Sequence, residues 1–85
     1  MKKLKIKIKL GTVNDASLFV ARCATYEDDI DYVCGRYILD AKSLMGVLSI
    51  GVDHICDVEI HTIDPVMIKK FRQDMELWCQ EGEFK

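Results

Sequence analysis

Apolar and polar residues alternate at the beginning of the chain and again after its middle. The first segment alternates lysines with apolar residues, in the order Lys3, Leu4, Lys5, Ile6, Lys7, Ile8, Lys9 and Leu10. A period of two is typical of a strand with one buried face. The pattern returns where Cys56, Val58 and Ile60 alternate with Asp57, Glu59 and His61. We therefore predict a first strand over 3–10 and a last one over 56–61.

Two segments instead have the three-to-four-residue spacing of an amphipathic helix. The apolar face of the first consists of Ala16, Phe19, Val20, Cys23 and Ala24. Turn residues at 11–15 precede it, so the pattern predicts a helix that is capped by Asn14 or Asp15 and runs to about Thr25. The last helix follows Asp64 as N-cap and Pro65 at its first position. Its apolar face consists of Ile68, Phe71, Met75, Trp78 and Cys79, and Gly82 is placed to end it.

The middle of the chain reads as a hairpin followed by a short helix. Two runs with strand character, 30–34 and 37–39, flank Gly35-Arg36, where glycine tolerates a positive φ. Residues 43–50 are apolar, contain Gly46 and are followed by Gly51, which favours a helix of about two turns. The elements therefore follow one another as β-α-β-β-α-β-α.

Length and charge limit the classes of function. Eighty-five residues suffice for one domain, over 1–85, and a net charge of −2 gives the whole molecule no attraction to nucleic acid or to an anionic membrane. The lysines of the first strand are interpreted as a solvated sheet face. Because they interrupt every apolar run there, no signal peptide or membrane span is predicted, and a cytoplasmic location follows.

The four cysteines, Cys23, Cys34, Cys56 and Cys79, lie far apart and form no Cys-x-x-Cys pair. In a reducing compartment we expect them to be free, buried thiols. His54 and Cys56 have no second close pair of ligands, so no metal site and no cofactor are predicted.

Residues 42–52 read KSLMGVLSIGV. This segment resembles the stretch around the regulatory serine of the histidine-containing phosphocarrier (HPr) proteins of the bacterial phosphoenolpyruvate-dependent sugar phosphotransferase system, K-S-(I/L)-M-G-(V/L)-(M/L)-S-(L/I)-G. The resemblance implies an α+β, open-faced β-sandwich. It would consist of a four-stranded antiparallel sheet with three helices on one face, in the order βαββαβα.

The resemblance fails where the family carries its chemistry. The family motif G-(I/L)-H-A-R-P-A corresponds here to GTVNDA at 11–16. Counting back from Tyr26 without a gap places Thr12 at the position of the family's phosphorylated histidine and Asn14 at that of its arginine. A shift of one residue places Val13 at the histidine position instead. A threonine phosphate ester is too stable to pass its phosphoryl group on, so Thr12 is not expected to act as a phosphoryl carrier, and no enzyme activity is expected. His54 and His61 are expected to be surface residues away from the start of the first helix.

Ser43 is the candidate regulatory phosphorylation site, because it opens a helix and matches the family's regulatory serine. Leu44, Met45, Leu48 and Ile50 are the candidate partner-binding residues. A two-turn helix cannot bury all its large apolar groups, so Met45 and Leu48 are expected to be exposed. The simpler alternative is that Ser43 only caps the helix and its apolar residues pack inward.

The resemblance implies protein partners: an HPr kinase/phosphorylase, a transcription regulator of carbon catabolism, or enzymes of the phosphotransferase system. Three functions remain open at this point. The first is a non-catalytic regulatory protein, the second a phosphocarrier with an unconventional acceptor, and the third an interaction domain without phosphorylation. Dimerisation through the lysine strand also remains open.

Overall fold

The computed structural model describes residues 4–80, and these form the predicted α+β arrangement. Its elements are β1 (Leu4–Lys9), α1 (Val13–Cys23), β2 (Ile30–Cys34), β3 (Tyr37–Asp40), α2 (Leu44–Ile50), β4 (Ile55–Ile60), α3 (Pro65–Met75) and a short 3-10 helix at Glu76–Trp78. The order βαββαβα is thereby confirmed. Lys3 and Gly82, to which the sequence analysis assigned roles, lie outside the described residues.

The four described strands form one antiparallel sheet in the order β1-β4-β2-β3. The apolar and polar residues that alternate along the strands lie on opposite faces of this sheet. Ile6, Ile8, Tyr32, Val58 and Ile60 are buried on the face that the helices cover, whereas the lysines of β1 lie on the opposite, open face. The fold class inferred from the sequence is therefore correct.

Acidic side chains from and beside β4 form ion pairs with two lysines of β1, Lys7 and Lys9. Lys7 is 3.2 Å from the carboxylate of Asp57, its cross-strand neighbour, and Lys9 is 3.2 Å from that of Asp53. Such exposed pairs contribute at most about 1 kcal/mol each. They nevertheless support the interpretation of the lysines as a solvated face, since charges already paired are poor ligands for a polyanion.

Aromatic side chains join the helices to the sheet. Phe19 of α1 lies between Tyr32 of β2 and Trp78. Its ring centroid is 5.5 Å from that of Tyr32 and 5.8 Å from that of Trp78. Burial raises the pKa of the Tyr32 phenol. Aromatic pairs of this kind add about 0.5–1.5 kcal/mol to the free energy gained by burying their area.

The last helix differs from the prediction at its end. The apolar face continues to Trp78, but α3 ends at Met75 and the chain tightens into the 3-10 helix. Cys79 is extended and forms an isolated bridge with Ile8, while the amide of Gln80 donates to the carbonyl of Lys7 at 3.1 Å. Pairing with the edge strand β1 therefore ends the helix.

Cys34 and Cys56 form a disulfide between β2 and β4, with Cα atoms 4.7 Å apart. The prediction that all four cysteines are free thiols is wrong for these two. They are 22 residues apart, and only the β2–β4 register brings them opposite each other. Cys23 is a buried thiol, and burial raises its pKa to about 12.

Within residues 4–80, no helix combines the length and the apolar character that crossing a bilayer requires.

Candidate partner-binding surface

Ser43 and Gly51 define the two ends of α2. The Ser43 hydroxyl accepts a hydrogen bond from the amide of Gly46 at 3.1 Å, so Ser43 is the N-cap. Gly51 has a φ of 95°, a conformation that side chains disfavour, and the helix stops there. The short helix predicted from 43–50 is confirmed at both ends.

The apolar residues of α2 divide unequally between core and solvent. Val47 is fully buried, and Leu48 and Ile50 are half-buried against the core. Met45 is 83% exposed and Leu44 is 38% exposed. The exposure predicted for Met45 is thus confirmed and that predicted for Leu48 is wrong, because Leu48 shares the inward side of the helix with Val47. Their role in binding a partner stays a prediction.

Thr12, rather than Asn14 or Asp15, caps α1. Its hydroxyl accepts a hydrogen bond from the amide of Asp15 at 3.0 Å, and the Asp15 carboxylate accepts one from the amide of Gly11 at 3.2 Å. The arrangement resembles a capping box, in which side chains at both ends of the first turn bind backbone amides. The start of α1 therefore carries a carboxylate of its own, which opposes the approach of a second anion.

The connection that contains His54 lies closer to the start of α1 than the sequence analysis expected. The amide of Asp53 donates to the carbonyl of Leu10 at 2.6 Å, and Asp53 has a φ of 71°. The peptide before His54 is therefore held against the residue that precedes Gly11. The His54 imidazole is exposed and lines an open cavity of about 550 Å³ together with Cys34, Tyr37 and Ser49.

His61 lies on the other side of the molecule, on the open face of the sheet. Its Nε2 donates to the carboxylate of Asp31 at 2.7 Å. Sequence reasoning did not connect these two residues, because Asp31 belongs to β2 and His61 follows β4. The strand register is the signal that relates them, since Ile60, next to His61, is paired with Ile30, next to Asp31.

No sequence-family model matches the chain. No curated protein is similar to it at a significant level. Solved structures do match. HPr-C-His from Thermoanaerobacter tengcongensis is 28% identical, with a TM-score of 0.69 over 89% of this chain and 92% of that one. The phosphocarrier protein HPr from Bacillus anthracis str. Ames is 15% identical, with a TM-score of 0.72 over 92% of this chain and 99% of that one.

These two matches cover nearly the whole chain and agree with the resemblance read from residues 42–52. The fold is that of the phosphocarrier proteins, an open-faced sandwich of one sheet and helices on one side. The chain thus has an HPr-like fold.

Proposed function

We propose that this protein is a non-catalytic regulatory module, related to the sugar phosphotransferase system, that binds other proteins through α2. The observation that carries the proposal is the exposed pair Leu44 and Met45 directly after Ser43. An exposed methionine is flexible and polarisable, which suits it to a protein contact. Ser43 directly precedes these two residues and gains negative charge when it is phosphorylated. Phosphorylation would therefore control which protein binds to this surface.

Phosphorylation of Ser43 would add about −1.5 to −2 charges beside Leu44 and Met45. The added charge would oppose a partner that docks on apolar residues and would favour one that presents arginines or lysines. The hydroxyl already faces the amide of Gly46, so a phosphate there would keep a backbone donor within reach. The same serine would thus decide which of two partners binds.

A role as phosphoryl carrier is disfavoured by the start of α1. Residues 11–16 contain no histidine, and the Asp15 carboxylate is bound to the amide of Gly11. Thr12 uses its hydroxyl as the helix cap, and its phosphate ester would be a stable end product. We therefore assign no catalytic residue and no enzyme activity.

The partners follow from the same proposal. They are proteins of the cytoplasm: an HPr kinase/phosphorylase that modifies Ser43, a transcription regulator of carbon catabolism that reads the modification, or enzymes of the phosphotransferase system. Nucleic acid and membrane are not proposed as partners, because the net charge is −2 and two lysines of the open face, Lys7 and Lys9, are paired with carboxylates.

A second candidate function is phosphoryl transfer through a displaced acceptor. The hydrogen bond from Asp53 to the carbonyl of Leu10 favours it, because it holds the peptide before His54 next to the residues leading into α1. A phosphoimidazole at His54 would have the required transfer potential. The third possibility is an interaction domain in which Ser43 serves only as the cap of α2.

Two labelling reactions distinguish these functions. The purified protein is incubated with ATP and HPr kinase, and separately with phosphoenolpyruvate and the general phosphotransfer enzyme, and the intact mass and modified residue are determined. Acid-stable label on Ser43 from ATP, absent in Ser43→Ala, supports regulation. Acid-labile label from phosphoenolpyruvate, absent in His54→Ala, supports the displaced acceptor. Absence of label in both reactions contradicts both and leaves the interaction domain.

A binding experiment tests the surface itself. Met45→Glu is compared with Leu77→Glu, since both residues are strongly exposed, at 83% and 76%, and only the former lies on α2. Binding of the transcription regulator to the Ser43-phosphorylated protein should weaken about tenfold or more for Met45→Glu alone. Both variants should keep the free energy of unfolding within about 0.5 kcal/mol. Equal binding by both variants would exclude α2 as the contact.

A further inference from the structure

The open face of the sheet carries a row of charged residues across all four strands. Lys5 of β1 is paired with Glu59 of β4, Glu59 with Asp31 of β2, and Asp31 with Asp40 of β3. Residues directly opposite on neighbouring strands point to the same face. Three carboxylates and one ammonium group therefore lie side by side, away from the helices and from α2.

His61 completes this row at the end of β4. Its amide donates to the carbonyl of Asp29 at 2.9 Å, which extends the pairing of β4 with the segment before β2. The imidazole Nε2 donates to Oδ2 of Asp31 at 2.7 Å. One ligand atom each from Asp31, Glu59 and His61 lies within 4.8 Å of the others, and all three residues are half-buried. One nitrogen and two oxygen donors thus lie close enough together to bind a single ion.

We infer that Asp31, Glu59 and His61 form a binding site for a divalent transition metal of the Zn²⁺ type, a role distinct from the proposed function of α2. Zn²⁺ binds imidazole nitrogen and carboxylate oxygen at about 2.0–2.2 Å, which places tetrahedral ligand atoms roughly 3.3 Å apart. The distance between Nε2 and Oδ2 would need to open by about half an ångström from 2.7 Å. In the neutral imidazole the proton would move from Nε2 to Nδ1 by exchange with solvent, which leaves Nε2 free to bind the metal, and water would complete the coordination.

The charges around the three ligands favour a cation. A groove of about 310 Å³ is lined by Asp29, Asp31, Asp40 and His61 together with apolar residues of β2 and β3. Its carboxylates attract a divalent ion, although one oxygen of Asp40 already accepts a hydrogen bond from the amide of Lys42. Lys5 opposes this attraction, as the cross-strand neighbour of Glu59. The imidazole makes a transition metal a better fit than Mg²⁺ or Ca²⁺, which prefer oxygen ligands.

The simpler explanation is an isolated hydrogen bond between His61 and Asp31, with Lys5 and Glu59 only neighbours across the sheet. It predicts that removing Lys5 leaves metal affinity unchanged. A metal site predicts the opposite, since removal of a neighbouring positive charge strengthens cation binding. The two explanations therefore differ in the response to Lys5→Gln.

Calorimetric titration of the oxidised protein with ZnCl₂ tests the inference. The wild type should bind one ion, and affinity should fall tenfold or more for His61→Ala and about threefold or more for Glu59→Gln. Lys5→Gln should bind more tightly than the wild type. His54→Ala is the matched control and should stay within twofold of the wild type. Equal affinities for wild type and His61→Ala would overturn the site.

A second measurement guards against indirect effects of the substitutions. The imidazole signals of His61 in a long-range ¹H–¹⁵N spectrum should shift on addition of ZnCl₂ and stay unchanged with MgCl₂. Bound metal also stabilises the native state, so ZnCl₂ should raise the melting temperature of the wild type and of His54→Ala but not of His61→Ala. A shift confined to His54 would assign the ion to the other histidine and contradict the proposal.

Discussion

The hydroxyl of Tyr26 donates a hydrogen bond to the carboxylate of Asp74 and so ties the segment after α1 to α3. Lys70 Nζ lies 3.2 Å from the same carboxylate and 4.3 Å from the centre of the Tyr26 ring. Arg22 approaches Asp74 at 3.8 Å. The Asp74 side chain is only 17% exposed, and one neutral and two charged donors surround its carboxylate.

Tyr26→Phe should lower the free energy of unfolding by about 1.5–3 kcal/mol, the usual contribution of a hydrogen bond to a charged group. The substitution keeps the edge-to-face contact with Phe71, whose ring centroid is 5.6 Å away. Urea unfolding followed by the fluorescence of Trp78 measures the effect. A change below about 0.3 kcal/mol would show that Lys70 and Arg22 satisfy Asp74 by themselves.

Stability should fall at alkaline pH, and Tyr26 should account for part of the fall. Burial, together with the bond to Asp74, raises the pKa of Tyr26 well above its ordinary value of 10.0. The folded state therefore holds the phenolic proton more tightly than the unfolded state, so the stabilisation is complete below pH 10 and is lost as pH rises towards the folded pKa. Unfolding free energies of wild type and Tyr26→Phe should converge between pH 9 and 11.5, and parallel curves would contradict this.

Reduction of the Cys34–Cys56 disulfide should destabilise the protein by about 3 kcal/mol, the loop-closure contribution of a 22-residue separation. Denaturant unfolding with and without dithiothreitol measures the difference. Cys79→Ser should keep the response to the reductant, whereas Cys34→Ala should lose it. A native mass that does not rise by two hydrogens on reduction would contradict the bond.

Ser43→Ala should cost about 1 kcal/mol, because the amide of Gly46 loses its partner at the start of α2. Ser43→Asp should retain most of the stability, since aspartate accepts the same hydrogen bond and its charge suits a helix N-terminus. Thermal unfolding of the two variants and the wild type provides the comparison. Equal losses for both would mean that the hydroxyl itself, rather than the cap, is needed.

Local patterns in the sequence were sufficient for most of the fold. The alternation around Ile6 and Ile8 and the glycines at 35 and 51 predicted elements whose observed bounds differ by a few residues at most. Each of these signals lies within one element and reflects one physical cause, burial of a face or a positive φ. The resemblance at 42–52 then provided the arrangement in space.

Most features that the sequence analysis missed depend on contacts between distant elements. The disulfide needs the register of β2 with β4, and the end of α3 is decided by the pairing of Gln80 with Lys7. The hydrogen bond between Asp31 and His61 forms because β2 and β4 are neighbours in the sheet. The cap of α1 is a different case, because Thr12, Asn14 and Asp15 are all acceptable caps, and only the observed turn selects Thr12.

The order of strands in the sheet has a consequence for the moment at which this protein becomes native during synthesis. Leu4 pairs with Ile60 and Lys9 with Ile55, so β1 has no strand partner until β4 has left the ribosome. Contacts this distant along the chain also slow the search for the native state. Meanwhile the lysines of β1 repel other chains that carry the same unpaired strand. The lysines that lie on a solvated face of the folded protein thus protect the nascent chain from association with other chains.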